Sequence, residues 1–221
     1  MSDLFGFPYE EINRAQPHAA IISTWEKARS EKCVPVLIVA DEMLLETLDS
    51  NNWEDKPLPS LAEYCAPYIE ELKEESDYDD ELLGQPADLD LSDGMDAGNV
   101  DPLGMMSIRG DDSPLVLARF PVAHPWEILK YMPLGDWNEC PPADVFAAFF
   151  KEMNERFGAV PLLVSGDTLT VRVERRPTRE EAYDLALTLY ALDGDLIDTY
   201  GSIPAFASWL MKSDYWFFWW D

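Results

Sequence analysis

The chain has 221 residues, 47% of them hydrophobic and 12% aromatic, enough to bury a sizeable core in one or two domains. Its formal net charge of −27 disfavours direct nucleic-acid binding, which sets Lys and Arg against phosphates, and adhesion to anionic membranes. No apolar run approaches the roughly 20 residues that span a bilayer, so no membrane association is expected.

In chain order, residues 17–31 read as a helix, with Ile21, Ile22, Trp25 and Ala28 at helical spacing. Val34–Val39 follows as a short buried strand. Asp41 is placed to cap a second helix carrying Met43, Leu44, Leu45 and Leu48, ended by Asn51-Asn52. A third helix is expected near Leu61–Lys73. From Glu74 to Asp112 the periodicity fails. Residues 63–112 hold 16 acids against two bases, Lys73 and Arg109, as expected of a long acidic insertion, flexible or wrapped over the surface. Asp88–Gly94 hints at a calcium loop, but its glycine falls one place late and position 12 is Asn99 rather than Glu.

A strand is expected over Pro114–Phe120, then a turn-rich passage from Pro121 to Pro142. Asp144–Phe157 has an apolar helical stripe, with Pro142 at its start and Gly158 at its stop. Val160–Val164 and Leu169–Val173 form a hairpin through Ser165-Gly166-Asp167. Thr178 and Glu181 make a capping box for a helix to about Leu192, and a last helix lies near Ile203–Met211. The chain closes on Trp216-Phe217-Phe218-Trp219-Trp220-Asp221. Read as a strand, Phe217 and Trp219 face one way and the other three aromatics the opposite way. Two apolar faces suit a central strand.

These elements predict a mixed α/β (α+β) fold, helices packed on a mixed sheet. Three regions follow: a helix–strand–helix region over 1–73, an acidic loop or linker over 74–113 and a C-terminal unit over 114–221. The first and last can form one compact unit. One echo links them. Trp25–Val39 and Phe150–Val164 each run helix, Val-Pro, short apolar strand, and an acid, Asp41 or Asp167, follows each strand. Either the halves are diverged copies or two helix–strand units simply look alike.

Chemistry concentrates between Pro121 and Pro142: His124, Trp126, Glu127, Trp137, Asn138, Glu139 and Cys140. Cys140 sits before a helix N-terminus, where a thiol pKa can fall, and with His124 and either Asn138 or Glu139 it could serve a hydrolase-like enzyme. The bland reading is a loop packed on the core by its Trp and Pro residues. Cys33, Cys65 and Cys140 are odd in number and without metal spacing. Reduced thiols, and an opening Met1-Ser2-Asp3-Leu4-Phe5 without signal-peptide character, suggest a cytoplasmic protein. His18 is expected at a helix start. No metal site is expected, and without a phosphate loop, a Rossmann fingerprint or a nucleophile elbow, no cofactor. Arg172, Arg175, Arg176 and Arg179 either bind an anion or pair with the protein's own acids.

Pro125-Trp126-Glu127, Gly135-x-Trp137-Asn138-Glu139-Cys140-Pro141, Phe157-Gly158-Ala159 before Val160-Pro161, and the aromatic terminus together resemble a bacterial family, domain-of-unknown-function family 4253, over roughly residues 114–221. The Trp25 helix and the first Val-Pro strand resemble its N-terminal region less specifically. The chain departs from the family at Gly194-Asp195 and Tyr200, where a Pro-Asp and a Gln are common. The resemblance brings no established activity.

The expected function is therefore drawn from charge. An acidic module would engage a basic protein partner, perhaps as an immunity or inhibitor protein for a basic toxin. Its candidate binding residues are Trp126, Glu127, Trp137, Asn138, Glu139 and the acids Asp77, Asp79 and Asp80. The alternatives are the hydrolase-like site around Cys140 and acidity that serves only solubility. The oligomeric state is not readable.

Overall fold

The structure, a computed structural model, describes residues 8–76, 80–89, 101–104, 112–137 and 140–220. Six strands form one mixed sheet: β1 (Tyr9–Ile12), β2 (Val34–Val39), β3 (Leu115–Phe120), β4 (Val160–Val164), β5 (Thr168–Arg172) and β6 (Tyr215–Trp219). Their order across the sheet is β1-β3-β2-β4-β5-β6. Only β2 and β4 pair in parallel; the other neighbours are antiparallel. The helices are α1 (His18–Ala28), α2 (Glu42–Ser50), α3 (Leu61–Ser76), α4 (Asp80–Leu83), α5 (Ala143–Phe157), α6 (Arg179–Tyr190), α7 (Leu196–Tyr200) and α8 (Ile203–Leu210), with 3-10 turns at Pro86–Asp88 and Pro125–Lys130.

The apolar run of β2 takes the centre of the sheet because all six of its residues are buried, a pattern that needs cover on both faces. Its parallel ladder with β4 is short, Leu37 beside Leu163 and Ile38 beside Val164. Pro35 and Pro161, which have no N–H to give, lie before that ladder. On one face α1 packs Ile21, Trp25 and Ala28 over Leu37, Val39, Leu115, Leu117, Leu162 and Leu163. The opposite face carries the larger core, where Phe146, Phe149, Phe150 and Phe157 of α5 and Leu185 and Leu189 of α6 meet Val116, Ala118, Val164, Leu169 and Val171. Strands of the N-terminal and C-terminal regions thus share one sheet.

Caps follow local chemistry. Asp41 Oδ1 accepts from Leu44 N–H at 2.8 Å to start α2. Thr178 and Glu181 form the capping box of α6. Two elements escape a reading by periodicity. The strand β1 has exposed Glu10 and Glu11 between half-buried ends, and α7 has five residues.

The aromatic terminus lies in the sheet, as expected, but at its edge: β6 pairs only with β5, so the expected central position is corrected. Its two faces are unequal. Trp216, Phe218 and Trp220 are buried, whereas Phe217 is half-buried and Trp219 is 38% exposed. Covering one face fully and the other in part is enough to make aromatics tolerable on an edge strand.

The described parts of the acidic insertion are packed down. Leu89 and Leu103 are buried, Arg179 donates to the carbonyls of Ala87 and Leu89, and Tyr183 Oη donates to Leu83 O. His18 Nδ1 lies 2.6 Å from Asp101 Oδ2. Most of the calcium-like stretch, from Asp90 on, is outside the described residues. The echoed strands are in-register neighbours, but their helices α1 and α5 lie on opposite faces of the sheet. Among the described residues no helix is long and apolar enough to cross a membrane.

Candidate functional site

The strands β2, β4 and β6 run in the same direction, so their carboxyl ends meet at one end of the sheet. Ligands of open α/β sheets gather at such ends. Here three aspartates converge. Asp41, after β2, accepts from Gly166 N–H through Oδ2 at 2.9 Å. A Cβ on Gly166 would lie 2.7 Å from the Asp41 carboxylate, so only glycine permits this approach. Asp167, after β4, accepts from Trp219 Nε1 at 2.9 Å and from Ser165 Oγ at 3.1 Å. Asp193, between α6 and α7, accepts the Trp219 backbone N–H through Oδ2 at 2.9 Å. Trp220 Nε1 donates to Leu192 O at 2.8 Å. The Trp220 backbone N–H also donates to Asp167 O at 3.1 Å, so Trp219 and Trp220 are tied down by two buried carboxylates and two carbonyls.

Asp193 is the unusual member. It is 2% exposed, yet no donor reaches its Oδ1 in good hydrogen-bond geometry, and the backbone N–H groups of Asp195 and Leu196 give the carboxylate only weaker support. It lines a cavity of about 290 Å³ whose other walls include Leu196, Tyr200, Trp209, Phe217 and Trp219. The aromatic rings contact one another: Tyr200 and Trp209 at 5.1 Å between centroids, Trp209 and Phe217 at 6.0 Å. No Lys, Arg or His is among the described residues that line it. Burial, aided by the charge of Asp195 and opposed by the backbone N–H groups of Trp219, Asp195 and Leu196, raises the Asp193 pKa to about 7. Burial, and then the charge of Asp193, push the Tyr200 hydroxyl upward.

A stability prediction follows. From the ordinary aspartate value of 3.8 up to about 7, the folded chain keeps a proton on Asp193 that the unfolded chain has lost. This group therefore lowers stability as pH rises through that window. Asp193→Asn removes the effect. Measured by urea unfolding, the stability of the variant relative to the parent should rise by about 2–3 kcal/mol between pH 5 and pH 8. A difference that does not change with pH would place an ordinary pKa on Asp193.

The residues singled out from sequence lie on two segments of the chain. His124, Trp126 and Glu127 belong to the 3-10 turn after β3. Glu127 Oε2 accepts the backbone N–H groups of Ala123 and His124 at 3.1 and 3.0 Å, and the His124 ring stacks on Trp126 at 4.3 Å. Trp137 and Cys140 line a crevice of about 20 Å³ beside Thr47, Val164 and Trp220, with room for about one water. His124 is not among its lining residues. Cys140 is 7% exposed, and burial, with the charges of Asp193 and Asp136, pushes its thiol pKa upward, the reverse of nucleophile activation. Asn138, Glu139, Asp77 and Asp79 lie outside the described residues; Asp80 opens α4.

The arginine cluster is engaged internally. Arg175 makes a two-pronged pair with Glu181 at 2.7 and 2.9 Å, which holds that carboxyl down at about 2 together with the Thr178 backbone N–H. Arg176 pairs with Asp214 at 2.8 Å. Arg172 donates to Val173 O and lies over the Tyr215 ring, and Arg179 binds the insertion. Reading by sequence missed Asp193. In Leu192-Asp193-Gly194-Asp195 it looks like a solvated turn residue, and only the terminal strand folding over it reveals otherwise. The acid after each echoed strand was the legible trace of this end of the sheet.

Fold and site together define a mixed α+β protein with an acidic, aromatic-walled cavity at the carboxyl ends of its strands. Residues 116–221 match the family described as Domain of unknown function (DUF4253). The match spans β3 to the end of the chain, and with it Asp193 and the aromatic walls. No curated protein and no solved structure matches the chain.

Proposed function

We propose that the protein is an acidic binding module that engages a basic protein partner in the cytoplasm, in the manner of an inhibitor or immunity protein for a basic toxin. One observation carries the reading: the chain has 43 acids and 16 Lys and Arg, so pairing every base internally still leaves a charge of −27. Several bases are indeed spent inside the fold, on pairs such as Arg29–Glu174, Arg119–Glu10 and Arg176–Asp214. Among the described residues, acids such as Glu42, Glu46, Asp49, Glu63 and Glu71 are exposed, where they would speed encounter with a cationic surface and repel anionic ones. Free Cys33, Cys65 and Cys140 accord with a reducing compartment.

The test uses the full chain, tagged at the N-terminus, as bait in native-host lysate at low and high salt. The expected result is one dominant stoichiometric basic protein, which in purified form binds more weakly as salt rises. Recovery of only salt-labile contaminants, or of a neutral partner indifferent to salt, would overturn the reading.

A further inference from the structure

The basic-partner reading leaves open what the aromatic cavity at Asp193 receives. Its composition narrows the choice. A hard metal ion is a poor fit, because calcium takes six to eight oxygen ligands and these walls are mainly aromatic and aliphatic carbon. An anion would meet Asp193 and, at the same cavity, Asp101 and Asp195. A neutral apolar group would bring no counter-charge to these three acids. A flat or compact organic cation answers each feature. It brings positive charge to the acids around the cavity, and its stem and faces lie against Tyr200, Trp209, Phe217 and Trp219, aromatic rings of the kind that attract cations. At about 290 Å³ the cavity is at the small end of ligand pockets, sized for one side chain rather than a nucleotide.

We propose that this cavity is the anchor point of the interface and receives a single arginine or lysine side chain of the basic partner, its cationic head toward Asp193 and its stem along the aromatic walls. The inference rests on the basic-partner reading and adds its central contact, a buried anchor of the kind that carries most of the energy of an interface.

The experiment titrates n-butylguanidinium and n-butylammonium into the full-length protein by calorimetry. n-Butylurea, a neutral isostere of the guanidinium, and calcium chloride serve as comparisons. Saturable millimolar binding of a cation, at least about tenfold tighter than n-butylurea, is expected, with little response to calcium. Asp193→Asn should lower the cation affinity by about tenfold or more. Equal binding of cation and urea, or no saturable binding, would overturn the inference using the unmodified protein alone, so the result does not depend on how the variant folds. The two proposals fail separately. A basic partner whose affinity is unaltered by Asp193→Asn would sink the anchor and keep the partner. Cation binding without any basic partner would sink the partner reading and make the occupant a free amine or guanidine.

Discussion

Removal of residues 216–221 leaves a chain that does not fold cooperatively. The segment is an edge strand, and edge strands are often dispensable, but this one carries core. Trp216 packs edge-on against Phe157 at 5.5 Å, Phe218 against Phe149 at 5.6 Å and Trp220 against Phe146 at 5.4 Å, so three rings of the last strand stand against α5. Losing one such ring to alanine costs about 3–5 kcal/mol. Losing three exceeds the lower part of the 5–15 kcal/mol range of domain stability, before the ladder with β5 is counted. Deletion also strips Asp193 of the Trp219 amide and Asp167 of the Trp219 indole, leaving two buried carboxylates less satisfied. The truncated chain should lack a cooperative thermal transition and bind a dye for exposed apolar surface. A soluble truncation with a sharp melt would mean that the aromatic strand is an appendage. Phe218→Ala is the milder form of the same test, expected to lose about 3–5 kcal/mol in chemical unfolding.

Gly135→Ala should cost about 3–5 kcal/mol, combining backbone strain with overpacking. Gly135 has φ of 90°, a conformation open to glycine and strained for other residues. Its missing side chain matters as much. A Cβ there would lie 1.8 Å from Pro141 O and 2.9 Å from Phe146 Cε2. The carbonyl cannot step aside cheaply, because Pro141 leads directly into α5 through Pro142, and the loop is held from the other side by Asn51 Nδ2, which donates to Gly135 O at 2.7 Å and Pro133 O at 3.0 Å. A methyl at this point therefore loads both the loop and the helix behind it. Urea unfolding measures the loss. A change under about 1 kcal/mol would show that the loop relaxes freely and that its glycine is incidental.

Gly135 of the Gly135–Cys140 motif thus has a structural explanation. Cys140, Trp137 and His124 looked like chemistry because reactive residue types crowd a turn-rich passage. The folded chain buries the thiol and uses Glu127 to hold a turn.

Local pattern was enough for much of the fold. The helices α1, α2, α5, α6 and α8, the strand β2 and the hairpin β4–β5 are written in apolar spacing, capping residues and turn residues, each acting over a few positions. So is the alternation of the last strand, which buries Trp216, Phe218 and Trp220 together. Net charge and the absence of known catalytic fingerprints are likewise properties of the sequence by itself. What only the tertiary structure decided depends on residues far apart in the chain. The place of β6 at the edge depends on β5 being its sole neighbour. The strand β1, with glutamates at its centre, is stabilised by its ladder with β3 rather than by its own pattern. Asp193 becomes a buried carboxylate because Trp219, 26 residues later, closes over it, and burial is a property of the assembled core that no local spacing encodes.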